Sequence, residues 1–177
     1  MKFKRNVFSK IVYLLPRVIL VSIFLFYVIF AFLTYFDYFE PYLYPLHFIR
    51  GKAVRVTEHI MLGPYPHYEE LKRCKEKYNI VYVVSLLNQN LPAEKALYER
   101  EKRNAEKLGL KVFSFPMEYL PLESESNKKT LKSLIKFIRE NNGRNIYIHC
   151  YLGTHRVKLV KRELIKEDII WNPDVSK

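Results

Sequence analysis

One stretch of the 177-residue sequence gathers residue types able to attack and hold an anion: His149-Cys150-Tyr151-Leu152-Gly153-Thr154-His155-Arg156. It follows an apolar, β-branched run, NIYIH (145–149), and leads into VKLVKRELIKED, which has helical periodicity from about Thr154. A strand that passes through a tight loop into a helix aims successive backbone N–H groups, with the positive end of the helix dipole, at one point. The loop residues Tyr151, Leu152, Gly153, Thr154 and His155 would therefore form an anion cradle. Cys150 at its floor sits where that field stabilises a thiolate, the nucleophilic form of cysteine. Arg156, six positions on, can present two parallel N–H groups to two oxygens of a phosphate, which a lysine cannot imitate. Gly153 lets the loop turn without a Cβ, and His155, when protonated, adds charge beside the cradle.

Positioning such a loop takes a sheet. Ala53–Val56 and His59–Leu62 read as short strands, and Gly63-Pro64-Tyr65-Pro66 as a turn into a helix over about His67–Tyr78. Ile80–Leu87 (IVYVVSLL) is a run of the buried parallel-sheet kind. Pro92 marks a helix that ends at Gly109, Lys111–Phe115 is a strand and Pro116–Glu125 a loop. Ser126 reads as the N-cap of a helix reaching Asn141. Strand and helix alternate throughout, which predicts an α/β domain with a mostly parallel central sheet flanked by helices.

The composition adds a second part. Thirty Lys and Arg stand against 18 Asp and Glu, with 49% apolar residues, which excludes a disordered chain. Val18–Phe36 contains no charge, and nineteen helical residues reach roughly 28 Å, close to a bilayer's ~30 Å hydrocarbon core. The expected organisation is a basic flank over 1–17, a transmembrane helix over 18–36, an interfacial linker over 37–50 and a catalytic domain over 51–177. The apolar run is too long for a signal-peptide core, large residues occupy the place of a cleavage site, and so uniformly apolar a helix does not suit the core of a small domain. The linker, DYFEPYLYPLHFIR, carries the aromatic residues favoured at a lipid–water boundary. Six basic and two acidic residues lie in 1–50, which leaves 24 and 16 in 51–177, a net charge of +8. That charge suits a phosphorylated substrate or anionic lipid; no nucleic-acid signature accompanies it, and none is expected as a partner. Cys74, in a charged helical run, reads as an inert, partly buried thiol.

With its HC-x5-R motif, the chain resembles the cysteine-dependent protein tyrosine phosphatases, specifically the dual-specificity branch. IMLGPYPHYEELKRCKEKYNIVYVVSLL is similar to the branch's opening strand, helix and strand, and KVFSFPMEYLPL to its general-acid loop; the resemblance covers about Val54–Lys166. It implies hydrolysis of a phosphate monoester through a phosphocysteine intermediate, without metal or other cofactor. It also implies that His149 orients the thiol and favours its ionised form. The family's general acid is an Asp about thirty residues before the nucleophile, yet no Asp occurs between Asp37 and Asp168; Glu118, 32 positions before Cys150, stands in its place, with Glu123 and Glu125 close behind. Val157 replaces the hydroxyl residue usual after the arginine, and only 21 residues follow Arg156, fewer than relatives usually add. These departures imply reduced turnover, and at the limit a membrane-tethered phosphate-binding pseudophosphatase.

The expected partners are the lipid bilayer and either a phosphorylated lipid, since members similar in the opening segment include phosphatidylglycerophosphate phosphatases, or a phosphoprotein. The expected location is the cell membrane, crossed once. Five basic residues before Val18 against three soon after Phe36 lean toward an external domain, whereas a reactive thiol favours the reducing cytoplasm.

Overall fold

The computed structural model describes residues 2–39 and 49–170. A helix α1 (Lys2–Thr34) and a short helix α2 (Phe36–Phe39) precede the domain. The domain follows as β1 (Val54–Arg55), β2 (Ile60–Pro64), α3 (Tyr68–Tyr78), β3 (Tyr82–Ser85), α4 (Pro92–Lys107), β4 (Lys111–Ser114), α5 (Glu125–Glu140), β5 (Ile146–Cys150) and α6 (His155–Lys166).

The five strands lie in the order β1-β2-β5-β3-β4, with only β1 antiparallel to its neighbour, so the expected mostly parallel α/β sheet is what forms. Alternation along the strands divides the core into two layers. Ile60, Leu62, Val84, Ile146, Ile148 and Cys150 face α5 and α6, where Leu134, Ile138, Val157 and Val160 pack on them. Met61, Val83 and Tyr147 face α3 and α4, against Leu71, Cys74 and Ala105. Burial pushes the Cys74 thiol pKa up, with Glu70 adding to the effect, in keeping with an inert role. Both Cys74 and Cys150 are free thiols.

Several expected boundaries move. β2 extends through Gly63 and Pro64, which were read as turn, because these residues pair with His149 and Cys150 and carry the sheet up to the cradle. The N-cap of α5 is Ser124, not Ser126: its hydroxyl accepts from Asn127 N at 3.1 Å.

The charge-free run expected over 18–36 is part of a longer helix. Its apolar stretch, Leu14–Thr34, is 21 residues with mean hydropathy 2.4 and none of it buried, long and apolar enough to cross a membrane. The helix stops at Tyr35, so Phe36 lies outside the span, in α2. Most of the linker expected over 37–50 falls on 40–48, outside the described residues.

Candidate active site

β5 is the central strand, and its last residue, Cys150, is buried where α6 approaches. Between them the loop is pulled outward by its carbonyls. Tyr151 O accepts from Tyr65 N at 3.0 Å, and Leu152 O accepts from Gly51 N at 2.8 Å. In a trans peptide unit the N–H points opposite to the C=O. The Leu152 and Gly153 amides therefore point away from Tyr65 and Gly51, the direction an anion cradle requires if it opens on that side.

Gly153 has φ +68°, and a Cβ there would lie 2.4 Å from Pro64 N and 2.7 Å from Gly63 C. Both constraints demand glycine: the left-handed backbone and the close approach of loop to strand. Gly153→Ala is expected to cost about 1–3 kcal/mol from the strained backbone alone, read as a shifted midpoint in chemical denaturation. An unchanged midpoint would mean that the loop is free to adopt another path.

Arg156 is buried within α6's first turn, and its guanidinium is held from one end. Nη1 donates to Glu94 Oε2 at 2.8 Å, Leu86 O at 2.9 Å and Met117 O at 3.2 Å, while Nη2 donates to Glu94 Oε1. Burial works to lower the pKa of this guanidinium. The hydrogen bond to Glu94 and its charge outweigh that, Cys150 adds to them, and the net direction is upward. The thiol and guanidinium are thus close enough to interact. Glu94 occupies the Nη1–Nη2 edge; Nε is buried and has no hydrogen-bond partner among the described residues. Of the five donors of arginine, the one on Nε is thus the one left without a partner among the described residues.

His149, expected to orient the thiol, lies outside the cradle itself. Adjacent strand residues point to opposite faces, so His149 projects toward α4 while Cys150 projects toward α6. Fully buried, its Nε2 is hydrogen-bonded to Glu101, and its ring stacks on Tyr147 at 5.8 Å and meets Tyr65 edge-on at 5.9 Å. It cannot touch a substrate, and its tie to the loop is its carbonyl, which accepts from Leu86 N at 2.9 Å.

The remaining loop residues line the opening. Tyr151 is half-buried, its ring edge-on to Phe36 at 5.8 Å. Thr154 caps α6 through its carbonyl, which accepts from Lys158 N, and its hydroxyl lies 3.2 Å from His155 Nδ1. His155 is exposed and faces Tyr119, whose hydroxyl is 3.4 Å from Nδ1 and whose ring lies 6.0 Å from Arg156 Cζ.

Glu118 follows Met117, whose carbonyl contacts Arg156. Its backbone is clamped by the buried Asn127: Glu118 N donates to Asn127 Oδ1 at 2.7 Å, and Asn127 Nδ2 donates to Glu118 O at 3.0 Å and Leu122 O at 2.9 Å. No hydrogen bond or ion pair engages the Glu118 carboxylate among the described residues. Glu123 and Glu125 are different. Each sits on the outer surface against a cation, Arg162 and Lys128, both at 2.7 Å, and the hydrogen bond to that cation holds each carboxyl below its ordinary pKa. Neither is placed or poised to give up a proton.

Four contributors are absent from the sequence reading: Glu94, Glu101, Tyr65 and Asn127. Tyr65 ties three parts together, donating its N–H to the loop and its hydroxyl to Leu97 O at 3.0 Å while accepting from Arg100 Nε at 3.2 Å. A signal existed for Glu101, which falls on the same buried stripe of α4 as Leu97, Tyr98 and Ala105.

No protein-family model matches the sequence, and no curated protein matches it either. Solved structures do. A candidate phosphatase (DUF442) from Shewanella putrefaciens CN-32 superposes with TM-score 0.57 at 12% identity, over 72% of this chain and 78% of that one. The core catalytic domain of the PP-IP phosphatase SIW14 from S. cerevisiae gives 0.51 at 18% identity, covering 71% of each chain. TpbA from P. aeruginosa gives 0.51 at 15%, over 70% and 68%. At these identities the likeness shows the fold: the chain shares the α/β fold of these phosphatase structures.

Proposed function

We propose that the protein is a membrane-anchored, cysteine-based phosphatase that hydrolyses a phosphate monoester through a phosphocysteine intermediate. The observation that carries this reading is a buried guanidinium beside Cys150 whose Nε is unpaired, under a loop whose Tyr151 and Leu152 carbonyls are tied outward. The phosphate's non-bridging oxygens would take the Nε–Nη2 edge and the loop amides, and Sγ would then lie behind phosphorus. Attack forms the S–P bond and breaks the P–O ester bond, with negative charge developing on the departing oxygen. Glu118, with its backbone fixed beside Arg156 and its carboxyl unengaged, is assigned to protonate that oxygen and afterwards to accept a proton from the water that breaks the S–P bond. The products are an alcohol and inorganic phosphate.

Single-pass anchoring rests on the unburied Leu14–Thr34 stretch. The test is turnover of p-nitrophenyl phosphate by the full chain, wild type against Cys150→Ser. A loss of at least a thousandfold in the variant, with acid-stable phosphate found on neither protein and a trapped S-phosphate on the wild type, is the expected result. Phosphate binding without turnover by the wild type would instead identify a pseudophosphatase, the reading that Val157 favours by offering no hydroxyl beside the sulfur.

A further inference from the structure

The end of the apolar span is seated on the cradle. Phe36, two residues past Thr34, packs edge-on to Tyr151 at 5.8 Å, and Tyr151 is the residue that follows Cys150. Phe36 also packs against the buried group Tyr65, Leu87, Leu97 and Tyr98. Phe32, still within α1, meets Phe36 edge-on at 5.9 Å and stacks on Phe39 at 5.5 Å, so the helix end and α2 form one aromatic block. Two residues of chain, two aromatic side chains in contact at 5.8 Å and one further residue separate Thr34 from Cys150, which bounds their Cα distance at about 24 Å. A bilayer's polar layer is about 5–8 Å deep on each side. The cradle is therefore tethered to the end of the span, near the membrane surface.

A second feature marks the same side of the molecule as lipid-facing. Gly51, whose N–H holds the Leu152 carbonyl, borders a cleft of about 670 Å³ lined by Lys52, Arg73 and Lys77. None of these three cations forms an ion pair among the described residues, the cleft's other charged residues, Arg50 and Glu70, being paired at 3.1 Å, so they are placed to attract an anionic bilayer surface.

From this juxtaposition of span end, cradle and cationic cleft, we infer that the substrate is a membrane lipid whose headgroup ends in a phosphate monoester, taken from the leaflet that the cradle faces. The inference rests on the phosphatase reading and narrows it. A folded phosphoprotein must be recruited to that surface, whereas a lipid phosphate is already there at high surface concentration. The bond chemistry is unchanged: S–P forms as the lipid alcohol leaves with a proton, and water then releases phosphate.

The full chain reconstituted into phosphatidylcholine vesicles decides the matter. Three lipid probes are used, phosphatidic acid, phosphatidylglycerophosphate and a prenyl phosphate, each either in the same bilayer as the protein or in separate protein-free vesicles. A tyrosine-phosphorylated peptide, a serine-phosphorylated peptide and p-nitrophenyl phosphate complete the panel. At least one lipid should be hydrolysed tenfold or more faster in the protein's own bilayer than in separate vesicles, and faster than either peptide, with all activity lost in Cys150→Ser. Turnover of p-nitrophenyl phosphate with no lipid hydrolysed, or with a peptide preferred, overturns the lipid inference and leaves the phosphatase standing. Equal rates in the two vesicle arrangements overturn the leaflet claim. No turnover of anything, p-nitrophenyl phosphate included, brings down the phosphatase reading and the inference with it.

Discussion

Arg156→Lys is expected to lower kcat/KM for p-nitrophenyl phosphate by about a thousandfold, equivalent to ~4 kcal/mol of transition-state stabilisation. The guanidinium here performs two tasks on two edges. One edge is committed to Glu94 and to the Leu86 and Met117 carbonyls, and the other, with Nε unpaired, is the one proposed to meet the phosphate. A lysine ammonium keeps the charge but places it at a single point. Once it satisfies Glu94 it has no planar second edge to offer, so the two oxygens that share the transition-state charge lose their parallel donors. The loss should fall on kcat as well as on KM, since the donors matter most when charge builds on phosphorus oxygens. Glu94→Gln provides the control: it weakens the anchor without removing the open edge, so its loss should be well short of that of Arg156→Lys. If Arg156→Lys kept more than a tenth of the wild-type rate while folded, the guanidinium would be structural and the open edge would have no role.

What the sequence made legible follows from how the site is built. Cys150, Gly153 and Arg156 are contiguous, carried on one strand, loop and helix whose apolar periodicities are plain, so the cradle could be read locally. Glu94 could not, because its role exists only once α4 is folded against a loop 62 positions away. It lies in PAEKALYEREKRNAEK, where acidic and basic residues alternate so densely that none stands out. His149 is a different case. Neighbouring strand residues face opposite ways, so with Ile146, Ile148 and Cys150 on one face the strand already implies that His149 projects toward α4, behind the loop whose thiol it is expected to orient. The Ser124 cap was hidden by the second serine of Glu123-Ser124-Glu125-Ser126, which offers two N-caps one half-turn apart; only the buried Asn127, which takes the Ser124 hydroxyl with its N–H and clamps Glu118 with its side chain, chooses between them.

The buried pair behind the cradle is where stability should be most sensitive. Glu101 and His149 are both fully excluded from water; Glu101 Oε2 and His149 Nδ1 have no hydrogen-bond partner among the described residues, so each group depends on the single bond between them. Glu101→Leu is expected to destabilise the fold by about 3 kcal/mol, because it leaves His149 buried with both ring nitrogens unpaired, a cost larger than the bond itself contributes. Replacing both groups removes that cost: in Glu101→Leu with His149→Phe, the aromatic ring still stacks between Tyr147 and Tyr65 and the leucine joins the Leu97 and Tyr98 stripe, so more than half of the lost stability should return. The measurement is a double-mutant cycle by denaturant unfolding, in which coupling of at least about 1 kcal/mol is expected for groups in contact. Activity separates packing from positioning. If the pair serves only the core, the double variant should regain both stability and turnover. If the Glu101–His149 bond also sets the path of the His149 backbone into Cys150, stability should return while kcat stays depressed, and the conservative Glu101→Gln, which retains an oxygen at that place, should recover more rate than the apolar pair. Additive losses in the cycle would instead show that the two side chains do not meet in solution as they do here, and the account of why His149 turns away from the cradle would fail with them.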